Sequence, residues 1–263
     1  MSYLHSIILG IIEGITEFLP ISSTGHMVAA SAFMGIAEND FTKAFEVIIQ
    51  FGAILSVLVL YWKRFLPSWP FYKKLFVAFL PTAIIGFLLR HVVDQLLESV
   101  QVVAWSLILG GIVLVWSDKI FAHLTAVGRK TGDLTYKDCV KLGLFQSIAM
   151  IPGVSRSGAT IMGGLSLGMQ KKEAAEFSFF LAVPTMAAAT LYKLLGIYKT
   201  IQHDQIGILA CGTFVSFVVA MIAIRFFMGI VTRYGFRGFG YYRILLGVII
   251  LVLLYTGHSM TAG

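Results

Sequence analysis

Two glutamates four residues apart, Glu13 and Glu17, stand inside an apolar stretch that runs from Ile7 to Met34. On a helix that spacing puts both carboxylates on one face. Two such charges in a low-dielectric setting repel each other unless a cation lies between them. A hard divalent cation that prefers oxygen ligands, Mg²⁺ or Ca²⁺, is the natural partner. Downstream the chain reads Pro20-Ile-Ser22-Ser23-Thr24-Gly25-His26. Hydroxyls, a glycine that allows close backbone approach and an imidazole able to move a proton near neutral pH are the minimum for an activated nucleophile.

A second polar set interrupts the apolar stretch Leu142–Met169. It reads Pro152-Gly153-Val-Ser155-Arg156-Ser157-Gly158-Ala-Thr160. An arginine among Ser, Gly and Thr at the start of a helix has the composition of an anion site. Backbone N–H groups, the hydroxyls of Ser155, Ser157 and Thr160, and a guanidinium fork all suit phosphate oxygens. Carboxylates with a cation on one segment and an anion cradle on the other converge on a phosphate or pyrophosphate group. The structural alternatives are half-buried acids paired with a lysine, an interior histidine and an arginine that snorkels to a headgroup. A bilayer makes idle charge expensive, which favours the functional reading. Glu46, Gln50 and Glu176 line the same cavity or make interhelical hydrogen bonds, and the sequence leaves both open.

The elements that must hold these groups follow from composition. The 263 residues are 58% hydrophobic and only 13% charged, with a mean hydropathy of +0.87. That leaves too little polar surface to coat a water-soluble globule. The net charge of +7 resides in short links between apolar runs, so it orients membrane helices and does not point to nucleic acid. Cys139 and Cys211 have neither disulfide nor zinc spacing. The first apolar stretch, with its two glutamates and no basic residue before it, is not a signal peptide.

The fold class expected is an all-α integral membrane protein forming a single polytopic domain. Six spanning helices are read at Ala44–Trp62, Leu75–Leu89, Val102–Trp116, Phe177–Leu195, Ile206–Phe227 and Ile244–Tyr255. The two interrupted stretches read as re-entrant helix hairpins, because irregular backbone is tolerated at membrane depth only when protein or a cavity covers it. Hairpin and three spans then recur, giving pseudo-repeats at approximately 1–117 and 138–257. Pro20 to Ser23 lies beside Pro152 to Ser155 at an offset of 132 (152 − 20), and Glu13 falls near Gln146. Three spans per half require the second half to be inverted, an inverted-topology repeat with its site near the midplane.

Lys63, Arg64, Lys73 and Lys74 place the first link between spans in the cytoplasm. The next link, with Asp94 and Glu98 against Arg90, is outside. Lys119, Arg129, Lys130, Lys137 and Lys141, then Lys171 and Lys172, then Arg233, Arg237 and Arg243 are all inside. Both termini and the mouth of the first hairpin face outward.

At its two polar segments the chain resembles the bacterial undecaprenyl-diphosphate phosphatases, also known as bacitracin-resistance proteins. The residues that carry the resemblance are Glu13-Gly-Ile-Thr-Glu17 with its continuation to His26, and Pro152 to Thr160; Phe45 to Gln50 and Glu176 to Leu181 extend it along the chain. It implies a hydrolase of phosphorus-containing anhydrides that releases inorganic phosphate from a polyprenyl diphosphate. The product is the monophosphate lipid that carries cell-wall precursors. The resemblance also implies a divalent cation, the bacterial cytoplasmic (inner) membrane, a site on its outer (periplasmic) side and a link to bacitracin resistance. A homodimer is left open.

On that reading Glu13 and Glu17 position the cation, while Arg156, Ser155, Ser157 and Thr160 hold phosphoryl oxygens. The attacking group is a hydroxyl, Ser23 first with Thr24 and Ser22 behind it, or a water activated through His26 or Glu17. Two rivals remain. One is a transporter of the lipid monophosphate, since broken helices in inverted repeats are a transporter architecture. The other is the membrane phosphatidic acid phosphatase superfamily, which would need a histidine soon after Arg156, whereas the next one is His203.

Overall fold

The computed structural model describes residues 1–37, 39–66, 68–97, 99–197 and 201–256. Glu98, which the sequence places in the outer link, lies outside them, as does the Asp94 side chain. Among the described residues the chain is helical, with one isolated bridge between Arg129 and Met169 and no strand. The helices are α1 (Tyr3–Thr16), α2 (Ser23–Phe33), α3 (Asp40–Leu60), α4 (Trp69–Leu97), α5 (Val100–Ile120) and α6 (Ala122–Thr125), followed by α7 (Tyr136–Ser147), α8 (Arg156–Ser166), α9 (Lys171–Ile197), α10 (His203–Tyr234) and α11 (Arg237–Tyr255).

Six of these, α3, α4, α5, α9, α10 and α11, are long and apolar enough to cross a bilayer, and each coincides with one of the expected spans. The helices overrun the hydropathy boundaries because polar residues that hydropathy discards still extend or cap them. Asn39, for example, caps α3 by accepting a 2.8 Å hydrogen bond from the Phe41 amide. One boundary is corrected the other way: Trp62 leaves α3 and begins a short 3₁₀ turn, Trp62–Phe65.

The two interrupted stretches resolve into pairs of short helices, α1 with α2 and α7 with α8, each pair packed together. At ~1.5 Å per residue, 11 to 14 residues reach little more than half of a ~30 Å hydrocarbon core. Each pair is completed by a long helix from the other half of the chain: α1 lies along α10, and α7 along α4. Small residues make those approaches close. A Cβ at Gly10 would stand 2.8 Å from the Gly212 carbonyl oxygen, and one at Gly143 would collide with the carbonyl oxygen of Ala78. Gly10 and Gly143 are separated by 133 residues (143 − 10). Helices α3 and α9 pack together between the pairs, and α5 packs with α11.

That spacing corrects the sequence alignment of the halves. The N-cap of α2 is Ser22 and that of α8 is Ser155, an offset of 133 (155 − 22) and not 132. Matching the prolines, Pro20 to Pro152, puts the two halves one residue out of register. A second correction concerns Arg243. It does not belong to the basic link with Arg233, at the end of α10, and Arg237, at the start of α11; it lies within α11 and is 1% exposed.

Candidate active site

Both short-helix pairs break at a serine in a backbone conformation that L-residues seldom adopt. Ser22 has φ 70° and Ser155 φ 76°. Each then caps the helix that follows, its Oγ accepting from the amide of a glycine three residues on: Gly25 at 3.3 Å and Gly158 at 3.2 Å. The break therefore aims the first turns of α2 and α8, with their unpaired amides, into the interior. Ser157 fastens the two loops together by donating to the Leu19 carbonyl at 2.8 Å and meeting Ser155 Oγ at 3.0 Å.

Between the loops lies a cavity of about 120 Å³ walled by Glu17, Ser22, Ser23, Thr24, Ser155 and Arg156, with Gln50 of α3 opposite. It is smaller than the ~300 Å³ at which drug-sized pockets begin, so it fits a headgroup and not a lipid tail. Ser23 donates to Glu17 Oε2 at 2.6 Å. Arg156 reaches the other Glu17 oxygen through Nε at 3.4 Å and Nη2 at 3.3 Å, and gives Nη1 to the Ser178 carbonyl at 2.8 Å. Those bonds occupy three of the five guanidinium N–H donors, which leaves two for an anion.

Glu13 is wholly buried, and neither of its carboxylate oxygens has a hydrogen-bond partner among the described residues. Glu17, Glu46 and Arg156 are near enough to act on it electrostatically. A buried carboxylate without a donor is costly. Oxygen ligands of this kind suit a hard divalent cation, so the pair Glu13 and Glu17 fits one. Among the described residues no three His, Cys, Asp or Glu side chains gather as a ligand set. The protein would supply two carboxylates, leaving the rest of a Mg²⁺-like shell to phosphate oxygens and water.

Four of the residues singled out from sequence do not line the cavity: Glu13, buried behind it as described above, and His26, Thr160 and Ser157. His26 Nδ1 meets the Ser22 carbonyl at 2.7 Å and Nε2 meets the Tyr242 hydroxyl at 2.7 Å. The carbonyl can only accept, so Nδ1 carries a hydrogen, and in the neutral ring Nε2 accepts from Tyr242. Thr160 turns its hydroxyl back to the Arg156 carbonyl at 3.0 Å, and Ser157 is spent on the loop contact described above. Of the residues left open, Gln50 is on the wall. Glu46 is not, and neither is Glu176, which pairs with Arg64 at 3.5 Å and Lys172 at 3.9 Å. Tyr242 and Arg243 were not foreseen; both lie at the start of an apolar run whose polar flank reads like an ordinary helix end.

The family model of the bacitracin resistance protein BacA matches residues 6–249. The chain is similar to proteins named undecaprenyl-diphosphatase: at 79% identity to one from Bdellovibrio bacteriovorus and at 53% to one from Flavobacterium psychrophilum, each over 99% of both chains. It is 44% identical to one from Aquifex aeolicus, over 95% of this chain and 97% of the other.

Proposed function

This chain belongs to the family of the bacitracin resistance protein BacA, and on that footing we propose that it hydrolyses undecaprenyl diphosphate to undecaprenyl phosphate and inorganic phosphate, recycling the lipid carrier of cell-wall synthesis and conferring bacitracin resistance. The relatives' name supports the substrate. The observation that carries the reading is the meeting of Ser23, Glu17 and Arg156, drawn from both interrupted stretches, around one headgroup-sized cavity.

The terminal phosphoryl group occupies the cavity, its oxygens on the two remaining Arg156 donors and the amides at the starts of α2 and α8. Ser23 Oγ attacks the terminal phosphorus while its proton passes to Glu17. The bond from that phosphorus to the bridging oxygen breaks, and the lipid monophosphate leaves with the bridging oxygen. Glu17 passes that proton to the departing monophosphate and, free again, takes one from water as the water attacks the phosphorus on Ser23. The bond to Ser23 Oγ breaks, Oγ regains the proton from Glu17, and phosphate is released. Phosphoryl transfer needs chiefly positioning and charge neutralisation, which these groups supply. A divalent cation held by Glu13 and Glu17 would add neutralisation of the diphosphate charge. His26, tied to the Ser22 carbonyl, steadies the loop from behind and does not itself take the Ser23 proton.

The exchange of long helices between halves supports an inverted repeat with α1–α2 and α7–α8 as re-entrant hairpins. The basic links, now without Arg243, support the cytoplasmic membrane with the cavity facing outward. One chain supplies every group used, so the reading requires no second copy. The transport alternative draws no support from the relatives' name.

The test is phosphate release by purified protein from an isoprenoid diphosphate, with EDTA or with added Mg²⁺ or Ca²⁺. Metal-dependent release is expected, and Arg156→Ala abolishes it in folded protein. Absence of release from well-folded protein, with lipid movement retained, would replace hydrolysis by transport.

A further inference from the structure

Arg243 makes five hydrogen bonds, one for each guanidinium N–H, and all go to backbone carbonyls. Nε donates to Leu107 at 3.3 Å, Nη2 to Ser106 at 3.0 Å and Gly153 at 2.8 Å, and Nη1 to Pro20 at 3.1 Å and Val154 at 2.8 Å. A helix-packing role would be met by an apolar side chain, and an arginine this deeply buried in a membrane bundle is costly. Its bonds run instead from α5 to the two catalytic loops.

Pro20 and Gly153 each lie two residues before a serine with positive φ, Ser22 and Ser155. They are related by the offset that relates those serines (153 − 20 = 133). The position equivalent to Arg243 in the first half is Gly110 (243 − 133), where a Cβ would collide with Nη2 of Arg243. A single guanidinium thus serves both loops, from a place that the first half keeps clear with a glycine.

We infer that Arg243 is a positioning residue: by holding the carbonyls ahead of both strained serines it sets how Ser23 and Arg156 face each other across the cavity. Its effect on turnover rests on the phosphatase reading; its hold on the loops does not.

Two variants test it. Arg243→Lys keeps the charge but replaces a fork of five donors by a point charge with three. Gly110→Ala keeps Arg243 and pushes its Nη2 from its carbonyls. Each is compared with the parent in steady-state phosphate release and in amide hydrogen exchange. Displacement of reacting groups by about 1 Å costs on the order of a hundredfold in rate. The expected result is a kcat lower by about ten- to a hundredfold with KM moved less than about threefold, the split that lost positioning gives. Residues 19–23 and 151–156 exchange faster while α3 and α9 do not change. A kcat within about twofold of the parent in both variants overturns the inference, as does exchange that rises evenly through every helix. If Arg243→Lys yields no folded protein, Gly110→Ala decides by the same criteria. If the parent itself releases no phosphate, the phosphatase reading fails and the exchange pattern alone decides the role of Arg243.

Discussion

Ser23 and Glu17 share a 2.6 Å hydrogen bond in which the hydroxyl donates, six residues apart across the break between α1 and α2. On the proposed mechanism this pair is the nucleophile and its proton acceptor, and the second Glu17 oxygen is steadied by Arg156. Neither partner can do its part without the other.

Groups that act as a unit lose little more when both are removed than when one is. Ser23→Ala and Glu17→Gln should therefore each lower kcat by about a thousandfold, within the range of proton-transfer catalysis. The double variant should fall no more than about tenfold below the weaker single. Fully multiplied losses, read by phosphate release, would show that water attacks and that Ser23 only binds.

The parts of this site that obey local rules are legible in the sequence. Glu13 and Glu17 declare themselves by helical spacing, Arg156 by its Ser and Gly neighbours, and the six long helices by runs of apolar residues. What escapes is set by the tertiary fold. Arg243 looks like one more cation beside Arg237, since nothing local says that two loops more than 80 residues away will bring their carbonyls to it. His26 sits beside three hydroxyls in sequence, yet the Ser22 backbone turns its ring toward Tyr242 and away from the cavity. The one-residue slip between the halves arises because prolines attract an alignment, while the fold matches cap serines. Gly10 with Gly143, and Gly110 with Arg243, are the signals at the correct offset.

Glu13 offers two buried oxygens that no protein donor meets. A cation that binds the folded protein raises its melting temperature by mass action. The parent should show such a rise with added Mg²⁺ or Ca²⁺, measured without substrate, and Glu13→Gln should lose most of it. Equal shifts in the two proteins would remove Glu13 from the cation's ligands.

Gly143 lets α7 lie against α4 at Ala78 and Pro81. The atom that an added Cβ would strike is a backbone oxygen, which cannot swing aside, so Gly143→Ala must separate the helices. Overpacking of this kind costs about 1–3 kcal/mol. Thermal unfolding in detergent should show that loss, while Gly132→Ala, with open space around it, should stay within about 0.5 kcal/mol of the parent. Similar melting of both variants would show that the α4–α7 contact is looser than its geometry.

Asp138, in the first turn of α7, closes a latch at the start of that helix. Its carboxylate accepts from the Thr135 amide at 3.0 Å, the Thr135 hydroxyl at 2.9 Å and Arg129 at 2.6 Å. Burial alone would raise its pKa, but the Thr135 bonds and the Arg129 charge outweigh it and hold the group below the ordinary 3.8. Since the folded pKa lies below the unfolded one, the latch adds stability that is fully present above the unfolded value. That stability fades as pH falls through the folded value. Asp138→Asn should therefore melt below the parent at pH 6, with the gap narrowing once the pH drops under about 4, near the unfolded aspartate pKa. A gap that stays constant from pH 6 to strongly acidic conditions would mean that the asparagine fails by shape and not by charge.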